Sequence, residues 1–258
     1  MHDIGPFFGI IYFGLLGVND LKYIESIKND LSDYTDREKA EFLPRFFNAF
    51  PGGYGEGDQF LGVKVPDQHK VAKKYYRDIS LGAVEKLLRE PFHEYRLTAL
   101  LILVYKFEKA KLHDDRKAIV DLYIRNLQYV NNWDLVDSSA YKILGAYLFD
   151  KDRSILYRLA RSDHLWSQRV AIIATLFFIR KNQFSDTLNI AEILLNHEHD
   201  LIHKAVGWML REVGKRDFQT EFEFLKQHYK KMPRIMLRYA IERFDPELRQ
   251  QFLNGSIG

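Results

Sequence analysis

From Leu21 to Leu253 apolar side chains return every three or four residues in one segment after another, and the alternation a strand needs is scarce. That period buries one stripe of a helix. It predicts helices over Leu21–Leu31, Lys39–Phe50, Val84–Leu88, Arg96–Phe107 and Arg116–Val130. The pattern continues through Trp133–Leu148, Ile155–Arg161, Trp166–Arg180, Leu188–Leu195, Leu201–Lys215, Phe218–Tyr229, Arg234–Phe244 and Glu247–Leu253. Short polar breaks separate the later segments, at Asp150-Lys151-Asp152, Ser162-Asp163-His164, Lys181-Asn182-Gln183 and Gly214-Lys215-Arg216-Asp217, each able to stop one helix and cap the next. With turns this short, neighbouring helices must lie side by side. The expected architecture is therefore an all-α solenoid, in which the second helix of each pair lines a continuous concave face.

Segments that open on an apolar residue and carry an Arg or Lys about a turn later follow Trp133, Trp166 and Leu201, at spacings of 33 and 35 residues. Such a period lies in the range of HEAT, armadillo and tetratricopeptide units. No long linker or polar tract interrupts the series, so residues 21–258 are expected to form one domain. Residues 1–20 stand apart as an apolar leader or extra segment. The uncharged run Ile4–Val18 is shorter than the roughly 20 apolar residues of a bilayer span. It follows Asp3 where a signal peptide would carry basic residues, so a soluble cytoplasmic chain without a membrane partner is the expectation. The absence of cysteine excludes disulfides, thiolate metal sites and a cysteine nucleophile. A net charge of only +3 means that any basic surface must arise by segregation of charge.

The stretch with the most chemistry is Val130–Ala140. On a helix, Trp133 and Asp137 project from one face, one turn apart, while Leu135 and Val136 turn towards neighbouring helices. A carboxylate beside an indole loses hydration unless a cation meets it. That cation is either a ligand or a nearby Arg or Lys. Basic residues recur on the expected inner helices: Lys204, Trp208 and Arg211 form one stripe, Arg169 follows Trp166, Arg234 and Arg238 repeat the one-turn spacing, and Arg96 can play the same part upstream. Cations interleaved with aromatics on successive helices suit a phosphate backbone lying in a groove; a solvated basic face is the plainer alternative.

Four blocks carry a more specific signal. They are Tyr54-Gly-Glu-Gly-Asp-Gln-Phe-Leu-Gly-Val followed by Pro66, Asn132-Trp-Asp-Leu-Val-Asp137, Leu165-Trp-Ser-Gln-Arg-Val-Ala171, and Lys204-Ala-Val-Gly-Trp-Met-Leu-Arg-Glu212. In order and spacing the sequence from Lys39 to Phe244 resembles the AlkD-like DNA alkylation repair glycosylases, which are built from HEAT-like repeats. The resemblance implies a concave basic groove that holds double-stranded DNA. It also implies a monomer that hydrolyses the N-glycosidic bond of N3- or N7-alkylated purines with neither metal nor organic cofactor. By position, Trp133 and Trp208 correspond to the aromatic pair at the lesion's deoxyribose, Asp137 to the catalytic carboxylate, and Arg169 to the cation on the adjacent backbone. Lys204 and Arg211 correspond to phosphate contacts, with Arg234 and Arg238 as further DNA-binding candidates. The chain departs from the pattern at Asp200-Leu201, where some members carry two aromatics.

The residue types suit that chemistry. Alkylation at N3 or N7 makes the purine cationic, so base departure neutralises the leaving group and moves positive charge to the sugar. One carboxylate can stabilise that charge and present water to C1′. Indole faces add cation–π attraction. The competing function is a HEAT-like DNA-structure binder or scaffold without catalysis, and a third is a peptide-binding solenoid with a mixed groove. The Gly-rich stretch Pro51–Gly62 lacks the Gly-Lys-Ser/Thr ending of a P-loop, and His197, His199 and His203 lack the spacing of a zinc helix, so both are expected to be loop features.

Overall fold

The computed structural model describes residues 18–257, so the leader expected over residues 1–20 lies outside the described residues except for its last three. Those begin the first helix. The elements are α1 (Val18–Ser32), α2 (Arg37–Phe46), α3 (Val65–Tyr75), α4 (Leu81–Leu88), α5 (His93–Lys109), α6 (His113–Arg125), α7 (Trp133–Ala140) and α8 (Ser154–Ala160). They continue with α9 (Leu165–Ala174), α10 (Leu176–Ile179), α11 (Ser185–Ile193), α12 (Asp200–Gly214), α13 (Phe218–His228), α14 (Arg234–Ala240) and α15 (Pro246–Asn254). Among the described residues the only β-type pairing is one isolated bridge, Gln59 to Phe92. The fold is all-α.

Two rows of helices result. In the inner row α5, α7, α9, α12 and α14 pack each against the next in chain order, with α3 continuing the row before α5. Behind them α4 packs on α5 and α6, α8 on α9, α11 on α8 and α12, and α13 on α12. The apolar stripes meet between the rows. The buried core runs without interruption from Ile24 to Phe252, which fits the continuous helical period of the sequence. Local signals set the helix ends: Asp36, Ser80, Asp217 and Asp245 accept a backbone N–H from the first turn of α2, α4, α13 and α15, and Gly255 closes α15 in the left-handed region.

Three differences from the periodicity have identifiable causes. Helix α3 was not predicted because Gln68 takes a core position beside Val71, Ala72 and Tyr75; its amide is satisfied by the Val63 carbonyl at 3.0 Å. The segment expected to run from Trp133 to Leu148 widens after Ala140 into a π-helical turn over Tyr141–Gly145. Gly145 lies so close to α9 that a Cβ there would meet the Ala174 carbonyl at 2.2 Å. The segment expected over Trp166–Arg180 divides at Thr175, whose hydroxyl donates back to the Ile172 carbonyl at 2.7 Å.

Candidate active site

Side chains of α7, α9 and α12 line a groove of about 520 Å³ on one side of the inner row. Trp133 and Asp137 come from α7, Arg169 from α9, and Leu201, Lys204, Trp208 and Arg211 from α12, with Phe46, Tyr54 and Tyr239 completing the wall. The helical spacing does the placing. Leu135 and Val136 are fully buried between rows, which turns Trp133 and Asp137 outward together. On α12 the buried Ala205, Val206, Met209 and Leu210 do the same for Lys204, Trp208 and Arg211. Gly207 lets α14 approach, since a Cβ there would meet the Met236 carbonyl at 2.4 Å.

At the floor of the groove Asp137 and Arg169 form a two-bond pair. Arg169 Nε donates to Oδ1 at 2.9 Å and Nη2 to Oδ2 at 2.7 Å, while Nη1 donates to the Leu201 carbonyl. The Arg169 side chain is 6% exposed and that of Asp137 19% exposed, so the carboxylate keeps an open edge and the guanidinium does not. Burial raises the Asp137 carboxyl above its ordinary value, and the nearby Asp134 adds to the rise; the opposing pull of Arg169 does not cancel it. A carboxylate in this condition is more basic than one in water. It still has lone pairs beyond those that Arg169 engages.

A second charged cluster lies beneath Trp133. His93, at the first turn of α5, donates from Nδ1 to Asp58 at 3.1 Å and from Nε2 to Asp134 at 2.8 Å, and Arg96 sits 2.6 Å from the other Asp58 oxygen. Burial opposes the charged imidazole, but Asp134 and Asp58 outweigh it and push its pKa up to about 9. Its ring packs against both Phe47 and Phe60, with centroids 4.7 and 5.3 Å away, and those two rings stack on each other at 5.6 Å. Phe47 in turn touches Trp133 at 5.5 Å, and Phe46 closes on the same indole at 5.9 Å. The N-cap Asn132 holds the helix start by accepting from the Trp133 N–H. The indole and the start of α7 are thus fixed from below.

The sequence profile of the family described as DNA alkylation repair enzyme matches residues 27–244, most of the chain. The chain belongs to that family. A solved structure described as a predicted DNA alkylation repair enzyme from Enterococcus faecalis matches with a TM-score of 0.63, at 16% identity, over 82% of this chain and 97% of that one. At that identity the likeness speaks for the fold. A search of curated proteins found no match. Membership of the family gives this alkylation repair enzyme its role in DNA alkylation repair, and no described helix is long and apolar enough to cross a membrane.

Within this DNA alkylation repair enzyme the groove gathers Trp133, Asp137, Arg169, Lys204, Trp208 and Arg211 from the expected set. Their surroundings differ. Lys204 makes no ion pair among the described residues, while Arg211 is paired with Glu242 and Trp208 Nε1 donates to Glu212 at 3.1 Å. All three Arg169 nitrogens donate inside the protein, two to Asp137 and one to the Leu201 carbonyl, where the sequence pattern suggested a contact to the DNA backbone. Arg234 and Arg238 are exposed on α14 but do not line the groove; Arg234 donates instead to the Leu253 carbonyl at 2.7 Å. Arg96 is buried with Asp58 and is likewise not a groove cation.

The groove and its surroundings also include residues that periodicity did not single out. The Gly-rich stretch is the loop that carries Tyr54 to the groove and seats itself on α5, where Leu61 N–H and Gly62 N–H donate to the Glu94 carboxylate at 3.0 and 2.8 Å. Gly62 has φ 81° and a Cβ there would meet the Asp36 carbonyl at 2.0 Å, so a side chain is excluded. The three histidines serve the turn before α12: His197 bonds Gln168 at 2.8 Å, His199 Nδ1 accepts from Leu201 N–H at 3.1 Å, and His203 bonds the His197 carbonyl. Phe46 and Tyr239 were missed because single exposed aromatics carry no periodic signal.

Proposed function

We propose that this enzyme is a DNA glycosylase, which hydrolyses the N-glycosidic bond of N3- or N7-alkylated purines in duplex DNA. One observation carries the reading: a basic carboxylate with an open edge, Asp137, shares a single open groove with two indoles and the unpaired cation Lys204. In this reading the chemistry takes place at the sugar, on the open side of the inner row. The stacked helices are taken as HEAT-like units, and the enzyme as a cytoplasmic monomer that needs no cofactor.

The step balances without an acid. The C1′–N bond breaks with its electron pair going to the purine, which was cationic and leaves neutral. Positive charge on the sugar is met by Asp137 and the faces of Trp133 and Trp208. Water then bonds C1′ as its proton passes to Asp137 and on to solvent. A neutral purine gains neither the leaving-group advantage nor the aromatic attraction, so selectivity for alkylated bases follows from charge. Arg169 keeps the carboxylate oriented, and Lys204 meets a flanking phosphate.

The test is release of 7-methylguanine from methylated duplex DNA. Wild-type protein is expected to release it, and Asp137→Asn to lower the rate about 10²- to 10³-fold, the cost of one well-placed electrostatic group. Affinity for unmodified duplex should stay unchanged in that variant. Binding without any base release by the wild type would overturn the glycosylase reading in favour of a non-catalytic DNA binder.

A further inference from the structure

A second cleft, also of about 520 Å³, opens where α5 and α10 end, beside the π-helical turn. Its walls carry Arg116, Lys142, Arg180 and Lys181 against one carboxylate, Glu108. None of the four cations is in an ion pair among the described residues, whereas Arg96, Arg153, Arg169 and Arg211 elsewhere all are. Like charges gathered without counter-charges cost stability, and a fold gains from that arrangement only when an anion arrives.

The cleft is built around one ring. Tyr141 opens the π-helical turn immediately after α7, and both the Arg180 guanidinium and the Lys142 ammonium lie over its face, at 4.7 and 5.5 Å. The wider turn shifts the residues after Ala140 out of the register of an ordinary helix. Two long cationic side chains are thereby held by one aromatic ring, which lowers the freedom lost when they grip a ligand. The positive field also reaches α3: burial, then Lys142 and Lys73, hold the His69 imidazole below its ordinary value.

We infer that this cleft is a second phosphate-gripping station for DNA, in which Lys142 and Arg180, seated on Tyr141, bind the phosphodiester backbone of the same duplex whose lesion lies over Asp137. The inference rests on the glycosylase reading for the duplex, and on the cleft's own charge for the contact. Arg180 follows Arg169 along α9 and α10 by 11 residues, roughly 16 Å at 1.5 Å per residue. That is enough to reach past the ~12 Å opening of a DNA major groove to the far backbone. The flat aromatic floor and the Arg suit phosphodiesters, and the inner row carries the duplex from one site to the other.

The experiment measures affinity for an unmodified 20-base-pair duplex as salt is raised, so it does not depend on base release. Each phosphate contact contributes about 0.9 to the slope of log affinity against log salt. Lys142→Glu with Arg180→Glu should therefore flatten the slope by about 1.8, and the milder Lys142→Gln with Arg180→Gln should do so to a similar extent. A charge-matched pair on exposed outer positions, Lys226→Glu with Lys231→Glu, should leave the slope as in the wild type. An unchanged slope in both cleft variants, or an equal loss in the outer pair, would overturn the proposal. Failure of the wild type to release 7-methylguanine would leave this result standing and strike the glycosylase reading alone.

Discussion

Asp137 and Asp58 are both carboxylates taken out of water and met by an arginine, yet their acidities move in opposite directions. At Asp58 burial is outweighed by the hydrogen bond from His93 and by Arg96, so its carboxyl is lowered. At Asp137 burial prevails over the single cation Arg169, and the carboxyl is raised. The difference is the number of cations and the company of Asp134. A carboxylate held by two cations is a fixed negative charge that organises the fold around Trp133. One held by a single cation, with an edge in a groove, keeps basicity for chemistry.

Among the groups that hold these two carboxylates, the largest expected effect on base release comes from removing the cation at Asp137. Arg169→Ala leaves a carboxyl desolvated with no counter-charge, at a cost of about 3 kcal/mol of stability, measured by denaturant unfolding at pH 7. The same change raises Asp137 further and displaces it, so base release should fall by at least about 100-fold. The pH profile separates the two causes. A raised carboxyl is active when ionised, so wild-type activity should be present at neutral pH and lost on acidification, at a pH above the ordinary value of about 3.9. In Arg169→Lys, which keeps charge but not the two-bond fork, that acid limb should move to higher pH. An acid limb that stays in place would break the comparison.

How much of this was legible beforehand depended on whether the signal was local. The outward stripe of Trp133 with Asp137, and of Lys204 with Trp208 and Arg211, follows from buried partners at three- and four-residue spacing, so the groove's members were readable. Arg169 was placed in the right neighbourhood with a different partner, because a spacing says where a cation projects and not which anion lies across 32 residues of chain. Arg234 and Arg238 share a turn spacing with true groove cations, but α14 turns Arg234 towards α15. The cluster of Asp58, His93 and Asp134 draws on a loop and two helices and left no periodic trace.

A smaller effect is expected at His93. Its pKa is raised to about 9 from an ordinary 6.5, so it adds stability that is fully present below about 6.5 and is lost as pH rises through 9. The gain is about 3 kcal/mol by the usual 1.36 kcal/mol per unit. His93→Gln should lose that amount at pH 6.5 and flatten the fall of the melting temperature between pH 7 and pH 10. With Phe47 no longer held by a charged ring, Trp133 loosens, and base release should fall about tenfold, one step of roughly 1.4 kcal/mol. A fall as deep as that of Arg169→Ala would place His93 in the chemistry and erase the distinction between the two regions.

Glu221 supplies the limit of the series, a buried carboxyl with no bonded cation among the described residues, and the smallest expected effect on base release. It lies on α13 behind α12 against Gly214, with Oε1 unpartnered; burial, weakly opposed by Arg211, pushes its pKa up to about 8. A raised acid favours the folded state while protonated, so its contribution is fully present below its unfolded value and is lost as pH rises through 8. Glu221→Gln keeps the shape of the protonated group and cannot ionise. The variant should come close to the wild type near pH 5 and exceed it by about 4 kcal/mol at pH 9, read from melting curves. Base release near pH 7 should change less than about twofold, within the range of a substitution remote from the reacting atoms. If the variant instead melted below the wild type at pH 9, Glu221 would be ionised and paired in the fold. The ordering of the three carboxyls by cation count would then fail at its simplest member.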